Sequence, residues 1–419
     1  MSERKKIAII GSGIAGMACA RLLHRRHDIT LIEKDHRTGG HSNTVMIRED
    51  GRELPVDTGF MVYNEVTYPL LTKLFAELGV PTKPTSMSFS VRHHGIDLEF
   101  NGGSVNLLFG QRKNLLRPRF WRMLLQINRF NRETVVELEN PRFGEMALAD
   151  YVEARGYGRD FLDWYLSPMA AAVWSSPPGR IRDFPARTLM RFWHNHGFLG
   201  LDTQHPWRTV DGGSIEYVRR ITAPYADRIR TGFGARAITA DNRVVFGDGS
   251  SEAFDVIVSA AHADQSLEML EAPTALEREL LAPFRYQENQ AVLHSDPSFM
   301  PRVRRNWASW NYRVEDGRHS THYWMNSLQG VSDKQDVFVS INPHREIPSE
   351  RVHATLGYEH PMFDQQAVAA QARLPELHAA GAATRRYYCG AWQRYGFHED
   401  GLWSAHRLCD ALLAGHPGA

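Results

Sequence analysis

Apolar and small residues recur in three short runs at the start of the chain. Residues 6–10 form an apolar run that predicts a buried parallel strand, and residues 14–25 have the small and apolar pattern of a packed helix. Residues 28–33 predict the next strand. A strand, a helix and a strand within about 30 residues make the minimal β-α-β unit of mononucleotide-binding folds.

The hydrophobic pattern changes after this unit. Residues 84–201 are rich in aromatic side chains and mostly helical in pattern, with helices predicted over 119–139 and 147–164. This stretch therefore has the character of an inserted lobe.

Short strand patterns return after residue 210. Asp211-Gly212-Gly213 predicts the start of a helix, and turns at 241–242 and 247–249 separate short strands. Residues 254–260 predict another buried strand, and residues 386–413 predict a strand, a glycine-containing loop and a helix.

These changes predict two lobes, each built from separate stretches. Residues 1–83, 205–265 and 382–419 form the predicted nucleotide-binding lobe, and residues 84–204 and 266–381 form the predicted substrate lobe. In the second lobe, aromatic residues cluster as if they line a sheet or a cavity: Trp307, Trp310, Tyr312, Tyr323 and Trp324.

Length and charge narrow the class of protein. The chain has 419 residues, 42% of them hydrophobic, which is enough for more than one core. With 49 basic and 48 acidic side chains the net charge is +1, so we predict a small-molecule substrate and no nucleic-acid partner. Three scattered cysteines, Cys19, Cys389 and Cys409, are too few for a disulfide framework and predict a location in reducing cytoplasm. The apolar N-terminal run imitates a secretory signal, but its glycine spacing favours a nucleotide-binding turn.

The turn between the first strand and helix reads Gly11-Ser12-Gly13-Ile14-Ala15-Gly16, which fits the G-x-G-x-x-G fingerprint in its proper context. The three glycines permit a tight turn, a close backbone approach to a pyrophosphate and close packing of the helix on the strand. Glu33 ends the second strand, where its carboxylate can accept hydrogen bonds from a ribose and repel a 2′-phosphate. The fingerprint therefore predicts a dinucleotide, and disfavours NADP.

Glu33 is also the first residue of the motif E-x-x-x-R-x-G-G, which continues with Arg37, Gly39 and Gly40 and is followed by His41. This motif resembles the flavin-containing amine oxidase superfamily, in which it runs beside an extended FAD. The resemblance implies FAD in place of NAD.

Four more blocks are similar to motifs of that superfamily. They are Val56-Asp57-Thr58-Gly59-Phe60, residues 211–215, residues 255–262, and the C-terminal pair Gly390-Ala391-Trp392 and residues 396–401. The resemblance implies an α/β fold: a Rossmann-like FAD-binding lobe of the glutathione-reductase type and an amine oxidase-like substrate lobe of mixed helices and sheet. The positions that the motifs and the resemblance assign to FAD are Gly11, Ser12, Gly13, Ile14, Ala15, Gly16, Glu33, Lys34, Arg37, Gly39, Gly40, His41, Gly59, Phe60, Gly390, Ala391, Gly396, Phe397, Glu399 and Asp400.

One feature of many amine oxidases in the superfamily is missing. They place a lysine, water-bridged to the flavin, on a strand of the substrate lobe, whereas the corresponding stretch here, 286–294, has Gln290 or Ala291 at that place. The chain also resembles bacterial flavoproteins often encoded near cyclopropane-fatty-acid-synthase-like methyltransferases. We therefore predict removal of hydride from an apolar, lipid or fatty-acyl substrate. The alternatives are an amine oxidase that produces imine and H2O2, and a flavin-binding accessory protein of a lipid-modifying methyltransferase.

His398 lies in the loop expected at the flavin, where it acts either as a catalytic acid or base or as a structural cap. Other histidines occur in pairs at short spacing, but no cysteine or carboxylate set accompanies them, so no metal site is predicted.

The predicted helix from residue 119 has apolar Phe120, Leu124 and Ile127 on one stripe and Arg122 and Arg129 on the opposite one. Such a helix either lies on an anionic membrane surface or packs its apolar side on the core. Peripheral contact with the inner membrane surface is therefore an open alternative.

Overall fold

The computed structural model describes residues 4–140, 146–200 and 203–414. Within these ranges the strands are β1 (Lys6–Ile10), β2 (Asp28–Ile32), β3 (Thr44–Glu49), β4 (Arg52–Asp57), β5 (Tyr63–Asn64), β6 (Thr82–Thr85), β7 (Phe89–His93), β8 (Leu98–Asn101), β9 (Trp207–Val210), β10 (Ile229–Arg230), β11 (Ala235–Ile238), β12 (Arg243–Phe246), β13 (Ser251–Ala253), β14 (Val256–Ser259), β15 (Arg285–His294), β16 (Trp310–Glu315), β17 (Arg318–Trp324), β18 (Phe338–Ile341), β19 (Val352–Met362) and β20 (Arg386–Tyr388).

The helices in the same ranges are α1 (Ile14–Leu23), α2 (Pro69–Leu78), α3 (Val105–Leu108), α4 (Pro118–Glu137), α5 (Leu148–Ala154), α6 (Arg159–Phe161), α7 (Ser167–Trp174), α8 (Pro178–Arg182), α9 (Ala186–Asn195), α10 (Ile215–Thr222), α11 (Ala263–Glu268), α12 (Ala275–Leu281), α13 (Met325–Gln329), α14 (Gln365–Arg373), α15 (Pro375–Thr384) and α16 (His398–Ala414).

A parallel five-stranded sheet has the strand order β10-β2-β1-β14-β20. Its central strand β1 is buried at Ile7, Ala8 and Ile9, because helices and loops cover both faces of a parallel sheet. One neighbour of β1, β2, follows it closely in sequence, whereas the other, β14, comes from a distant part of the chain. The crevice at the carboxyl ends of such strands is where doubly wound folds bind their ligands. The predicted strand-helix-strand start of the chain is confirmed.

A mixed seven-stranded sheet has the order β19-β15-β18-β17-β16-β7-β8. Strands β7 and β16 pair in parallel, and the other neighbours pair antiparallel. Its strands all come from the stretches predicted to form the substrate lobe. The longest pair, β15 and β19, faces the parallel sheet across a cavity. The chain thus has the mixed α/β architecture predicted from the sequence.

Helices α12, α14 and α15 pack on the parallel sheet, where their buried leucines and alanines share a core cluster with β14 and β20. This contact joins parts of both predicted lobes in one core, and the predicted lobe boundaries stay predictions.

The helix predicted over 147–164 is broken in the structure. Helix α5 ends at Ala154, and Gly156 then takes a positive φ of 66°, which terminates helices readily because glycine has no Cβ. Helical structure resumes at Arg159 and continues through a π-helical turn, Leu162–Leu166, into α7. Pro168 has no N–H to offer the carbonyl four residues earlier, and the helix widens just before it.

Helix α4 agrees with the predicted 119–139 within two residues at each end. Its predicted apolar stripe packs inward: Phe120 is buried, and Leu124 and Ile127 contact the same cluster as Phe100 and Phe109. The stripe is therefore part of the core. No helix among the described residues is long and apolar enough to cross a membrane.

Candidate functional site

A cavity of about 1410 Å³ lies between the parallel sheet and the seven-stranded sheet. Its walls include the carboxyl ends of β1 and β2, the strands β15 and β19, and the loop between β20 and α16. Pockets for one small ligand usually have about 300–1,000 Å³. The cavity can therefore hold an extended dinucleotide together with a second molecule.

The glycine turn after β1 lines one end of the cavity. Gly11 has a φ of +98°, and its N–H donates to the Ile32 carbonyl at 2.8 Å. A Cβ on Gly13 would meet no atom within 4 Å, whereas one on Gly16 would lie 1.9 Å from the Gly11 carbonyl oxygen. Gly13 thus faces open space and Gly16 is a packing position, which is why Gly13 lines the cavity and Gly16 does not.

Helix α1 begins directly after this turn, and no side chain within the described ranges caps its N-terminus. The first N–H groups of a helix have no partner inside it, and they carry a partial positive charge. Ile14 and Ala15, at this end of α1, line the cavity. This geometry suits the phosphates of a dinucleotide.

Glu33 lines the cavity and holds the turn at the same time. One carboxylate oxygen accepts hydrogen bonds from the Ser12 N–H at 2.8 Å and from the Ser12 hydroxyl at 2.6 Å, and the other accepts from the Asp35 N–H at 3.0 Å. The sequence predicts the ribose as its partner, but gives no sign of the bonds to Ser12. Glu33 therefore fixes the shape of the turn besides presenting lone pairs to the cavity.

The second glycine motif packs directly on the first. A Cβ on Gly40 would lie 3.0 Å from the Gly13 Cα, and the Gly39 N–H donates to the Ser12 carbonyl at 3.0 Å. The Arg37 guanidinium donates to the Gly40 carbonyl at 2.8 Å. The two motifs, 20 or more residues apart in sequence, thus form one surface, whose lining also includes Lys34, His41, Gly59 and Phe60.

Two further motifs meet at Asp57, the end of β4. Its buried carboxylate accepts hydrogen bonds from the Ser214 N–H at 2.9 Å, from the Ser214 hydroxyl at 2.8 Å and from the Thr44 hydroxyl at 2.6 Å. The side-chain amide of Gln329 donates at 2.7 Å. Burial raises the pKa of Asp57, and these bonds oppose that shift. The contact joins the start of α10 to the strand before Gly59.

The C-terminal segment brings Gly390, Ala391, Gly396 and Phe397 to the cavity wall. Gly396 has a φ of +94°, a conformation that glycine adopts without strain.

Glu399 and Asp400 lie outside the cavity lining and bond to backbone. The Glu399 carboxylate accepts from the N–H groups of Leu70 and Leu71, at 3.0 Å each, in the first turn of α2. Asp400 accepts from the Phe397 N–H at 2.9 Å, and burial raises its pKa to about 7. The predicted cofactor contacts of Glu399 and Asp400, and that of Gly16, stay predictions; the bonds seen here serve the helix and the loop.

His398 lines the cavity and is partly buried. Its Nε2 lies 2.8 Å from the Ser42 hydroxyl and 3.1 Å from the Tyr217 hydroxyl, and its ring stacks on Phe60 at 3.8 Å between centroids. Burial lowers its pKa to about 3, so the imidazole is neutral at physiological pH. These contacts tie the ring to three segments and favour a positioning role; the predicted acid–base role stays a prediction.

A polar group on β15 and β19 also faces the cavity, and the sequence does not single it out. The His41 ring stacks on Tyr358 at 5.0 Å and lies 5.2 Å from the His360 ring, and the Asn289 side chain lies 2.9 Å from His360 Nδ1. Burial lowers the pKa of His41 and brings that of His360 to about 4. Both imidazoles are therefore neutral. The two-residue spacing of Tyr358 and His360 on a strand is the one signal that could have indicated a shared face.

His262 ends the loop after β14 at the same wall. Its Nδ1 lies 3.0 Å from a Glu359 carboxylate oxygen, and its ring stacks on Tyr286 at 4.1 Å between centroids. It thus joins the parallel sheet to β15 and β19. These contacts give His262 a structural role at the cavity wall.

The far end of the cavity is aromatic. Ring contacts with centroids 4.9 to 6.5 Å apart connect Trp174, Phe192 and Phe397 with Phe198, Trp207 and Tyr68. We call this set, with Tyr395, the aromatic end; Trp310 and Tyr323 form a further ring pair in the lining, 5.2 Å apart. None of these is charged. The charged side chains of the described lining are Glu33, Lys34, Asp35, Arg37, Arg236, Glu268, Glu288 and Glu359.

The two residues predicted at the place of the missing lysine, Gln290 and Ala291, both lie on β15. Gln290 lines the cavity, and its N–H donates to the Asn342 side chain at 2.9 Å, while Ala291 is buried in the core. Among the described lining residues the one lysine is Lys34, at the end of β2. The described residues also contain no group of three or more histidine, cysteine or carboxylate side chains placed to hold a metal ion.

A family model described as flavin containing amine oxidoreductase matches residues 14–295 of this chain. No curated protein sequence matches it. Among solved structures, a putative protoporphyrinogen oxidase from Exiguobacterium is similar over 99% of this chain and 100% of its own, with a TM-score of 0.70 and 15% identity.

Two other solved structures share the fold. A CLA-producing fatty acid isomerase from P. acnes has a TM-score of 0.67 at 13% identity, over 100% of both chains. Cyclohexylamine oxidase from Brevibacterium oxydans has a TM-score of 0.66 at 16% identity, over 98% of this chain and 100% of its own. At these identities the likeness extends to the fold alone.

Proposed function

Because this chain belongs to the flavin containing amine oxidoreductase family, we propose that it is the FAD-dependent oxidoreductase of an apolar, lipid or fatty-acyl substrate. Its cofactor is FAD. The proposed reaction is a dehydrogenation: bound FAD would accept a hydride from the substrate, a base or water would take a proton from the neighbouring carbon, and a carbon–carbon double bond would form.

The residues present fit FAD. The open face of Gly13, the uncapped start of α1 and the carboxylate of Glu33 stand in the order that pyrophosphate and ribose require. When bound, FAD supplies a two-electron acceptor for hydride. The protein contributes the binding surface, the orientation of the substrate and the exclusion of water.

The observation that carries the proposal is the uncharged aromatic end. A protonated amine placed there would lose its hydration, which costs on the order of several kcal/mol, and cation–π contact with the rings would return only about 2 kcal/mol of this without a carboxylate. An acyl chain loses nothing by leaving water, since burying apolar surface is favourable by roughly 25 cal/mol per Å². The aromatic end therefore favours an apolar substrate over a cationic one.

The polar wall of the cavity is consistent with this preference. The neutral pair His41 and His360 and the neutral His398 add no charge near the aromatic end. The fatty acid isomerase of similar structure is, by its name, a protein of this fold that acts on a fatty acid.

The test is anaerobic reduction of the purified FAD protein. We expect phospholipid or fatty acid dispersed in detergent to bleach the visible absorption of oxidised flavin, and a panel of primary and secondary amines to leave it unchanged. In the variant Phe198→Asp the rate of bleaching by lipid falls at least about tenfold, because a buried carboxylate repels an acyl chain, whereas the matched variant Phe198→Leu stays within a few-fold. Both variants should keep FAD, because Phe198 is not among the positions that the sequence assigns to FAD.

Bleaching by amines alone would replace this proposal with amine oxidation, the second candidate, which the family favours. A protein whose FAD no lipid or amine reduces, and which purifies with a lipid-modifying methyltransferase, would instead be an accessory protein. Such a methyltransferase is also the partner that we propose for the enzyme, on the resemblance of its sequence.

A further inference from the structure

One surface of the protein, at the start of α4, exposes large apolar side chains. The exposed fractions are 48% for Leu115, 86% for Leu116, 44% for Trp121 and 68% for Leu125. We call these four residues the docking patch. None of them lines the cavity.

The docking patch is continuous. The Trp121 indole N–H donates to the Leu115 carbonyl at 2.9 Å, which fixes the ring against the turn before α4. Leu125 follows Trp121 by four residues, so the two lie on the same helix face. Farther along, Val135 and Val136 are exposed as well.

The opposite side of α4 is already used by the core, where Phe120 and Met123 are buried. The helix therefore has two apolar sides. One is accounted for by folding and the other faces solvent, which is unusual for a helix on the surface of a globular protein.

Positive charge is concentrated around the patch. Residues 102–132 contain no aspartate or glutamate and seven basic side chains: Arg112, Lys113, Arg117, Arg119, Arg122, Arg129 and Arg132. The whole chain, by contrast, has a net charge of +1. This concentration is therefore local.

Part of this charge is available to a partner. Lys113, Arg119 and Arg129 pair with Asp97, Asp160 and Glu133. In the part of the chain that the structure describes, the other four have no carboxylate partner: Arg112, Arg117, Arg122 and Arg132.

We propose that the docking patch binds the surface of an anionic lipid bilayer. Exposed leucine and tryptophan side chains insert at the boundary of headgroups and acyl chains, and unpaired arginines beside them bind anionic headgroups. The inference goes beyond the proposed reaction, because the patch is separate from the cavity and would bind a bilayer whatever the substrate is.

The test is co-sedimentation of the FAD-loaded protein with vesicles. We expect binding to vesicles of equal parts phosphatidylglycerol and phosphatidylcholine, little binding to phosphatidylcholine alone, and weaker binding as salt screens the arginines. The double variant Leu116→Asp/Leu125→Asp should bind the anionic vesicles at least about tenfold more weakly, because each leucine loses its burial in the membrane.

The matched control is Met46→Asp/Val66→Asp, which places the same two charges at residues that are also exposed but lie elsewhere, on β3 and before α2. It should bind the vesicles like the unchanged protein. Equal binding by the patch variant and the control would overturn the proposal, as would an unchanged protein that does not sediment with anionic vesicles.

Light scattering could instead show a dimer, with twice the monomer mass, that is lost in the patch variant. If the protein also failed to bind vesicles, the patch would be the contact with a second copy of the chain. Bleaching of the flavin by lipid in detergent is unaffected by the patch variant, so that measurement tests the proposed function separately.

Discussion

At Gly13 a side chain would extend into open space, whereas at Gly16, three residues on, it would strike backbone. The sequence distinguishes these roles because both follow from local geometry: a strand, a turn and a helix in fixed order. Most of the predicted FAD residues come together in the cavity lining for the same reason, since each motif is a short, continuous segment.

Replacing Gly13 with tryptophan gives a clear test of the cofactor site. The backbone at Gly13 has a φ of −65°, which any residue adopts, so Gly13→Trp should fold, and its indole should occupy the space of the pyrophosphate. We expect a colourless protein with at least about a hundredfold weaker FAD binding, since displacement of the phosphates costs more than about 2.7 kcal/mol. Released flavin and thermal unfolding measure the two effects.

The control is Gly247→Trp, in the turn after β12, where a Cβ likewise meets nothing within 4 Å. It should remain yellow. A yellow Gly13→Trp protein with normal flavin content would place the cofactor elsewhere.

Residues whose partners lie far away in sequence were beyond prediction. His398 bonds Ser42 and Tyr217, and Asn289 lies beside His360, over separations from 71 to 356 residues. A single sequence carries no record of such pairs, because they are set by tertiary packing. The motif around His398 indicates that this residue lies at the cavity. That its imidazole is neutral and contacts two hydroxyl groups could come only from the structure.

At the scale of elements, strands and helices with strong periodicity were predicted closely, as for β1, α1, β2 and α4. The break in the helix predicted over 147–164 was missed because apolar periodicity continues across Gly156. The parallel pairing of β7 with β16 also could not be predicted, since more than 200 residues separate the two strands.

A buried ion pair joins two such distant elements. Glu277 in α12 receives two hydrogen bonds from Arg386 of β20, at 2.8 and 2.9 Å, and one from the Tyr388 hydroxyl at 2.5 Å. It also closes a capping box with Thr274 at the start of α12. These bonds lower the pKa of Glu277 against the effect of burial. The pair therefore fixes the strand that leads into Gly390.

Removing one partner of this pair should be far more costly than removing both. Arg386→Met leaves a buried carboxylate without its cation and should lower the free energy of unfolding by about 3–5 kcal/mol. The double variant Glu277→Gln/Arg386→Met leaves no buried charge and should recover at least half of that loss. Urea unfolding at a fixed FAD concentration measures both. Equal losses in the single and double variants would show that packing around Arg386, and not charge, decides the stability of this contact.

For the whole molecule, several buried and partly buried histidines are held neutral. Burial lowers the pKa to about 4 for His196, His294, His319, His344 and His360, and to about 3 for His398. Some buried carboxylates shift the opposite way: the pKa of Asp400 rises to about 7, and those of Asp57 and Glu399 also rise. The histidines are the larger group, so they decide the sign of the pH dependence.

The unfolded chain binds protons at these histidines below a pH of about 6.5, whereas the folded chain does not until its lowered pKa values are reached. The stability that they contribute is therefore present above about pH 6.5 and is lost as the pH falls toward the folded values. Protonation of Asp400 works against this loss, because a raised carboxyl pKa stabilises the fold as the pH falls through it. Because the histidines with a lowered pKa outnumber these three carboxylates, we expect the free energy of unfolding to fall by several kcal/mol between about pH 7 and pH 5.

Urea unfolding, followed by tryptophan fluorescence at constant free FAD, measures this dependence without a change in ligand stabilisation. In the variant His294→Gln the slope of stability against pH should be smaller by up to one proton, because one buried neutral imidazole no longer titrates in the unfolded chain. His294 lies in the seven-stranded sheet, 2.6 Å from the Ser340 hydroxyl and outside the cavity lining, so its removal should leave the flavin in place. If the free energy of unfolding stays constant or rises as the pH falls, the buried carboxyl groups, above all Asp400, determine the pH dependence of stability.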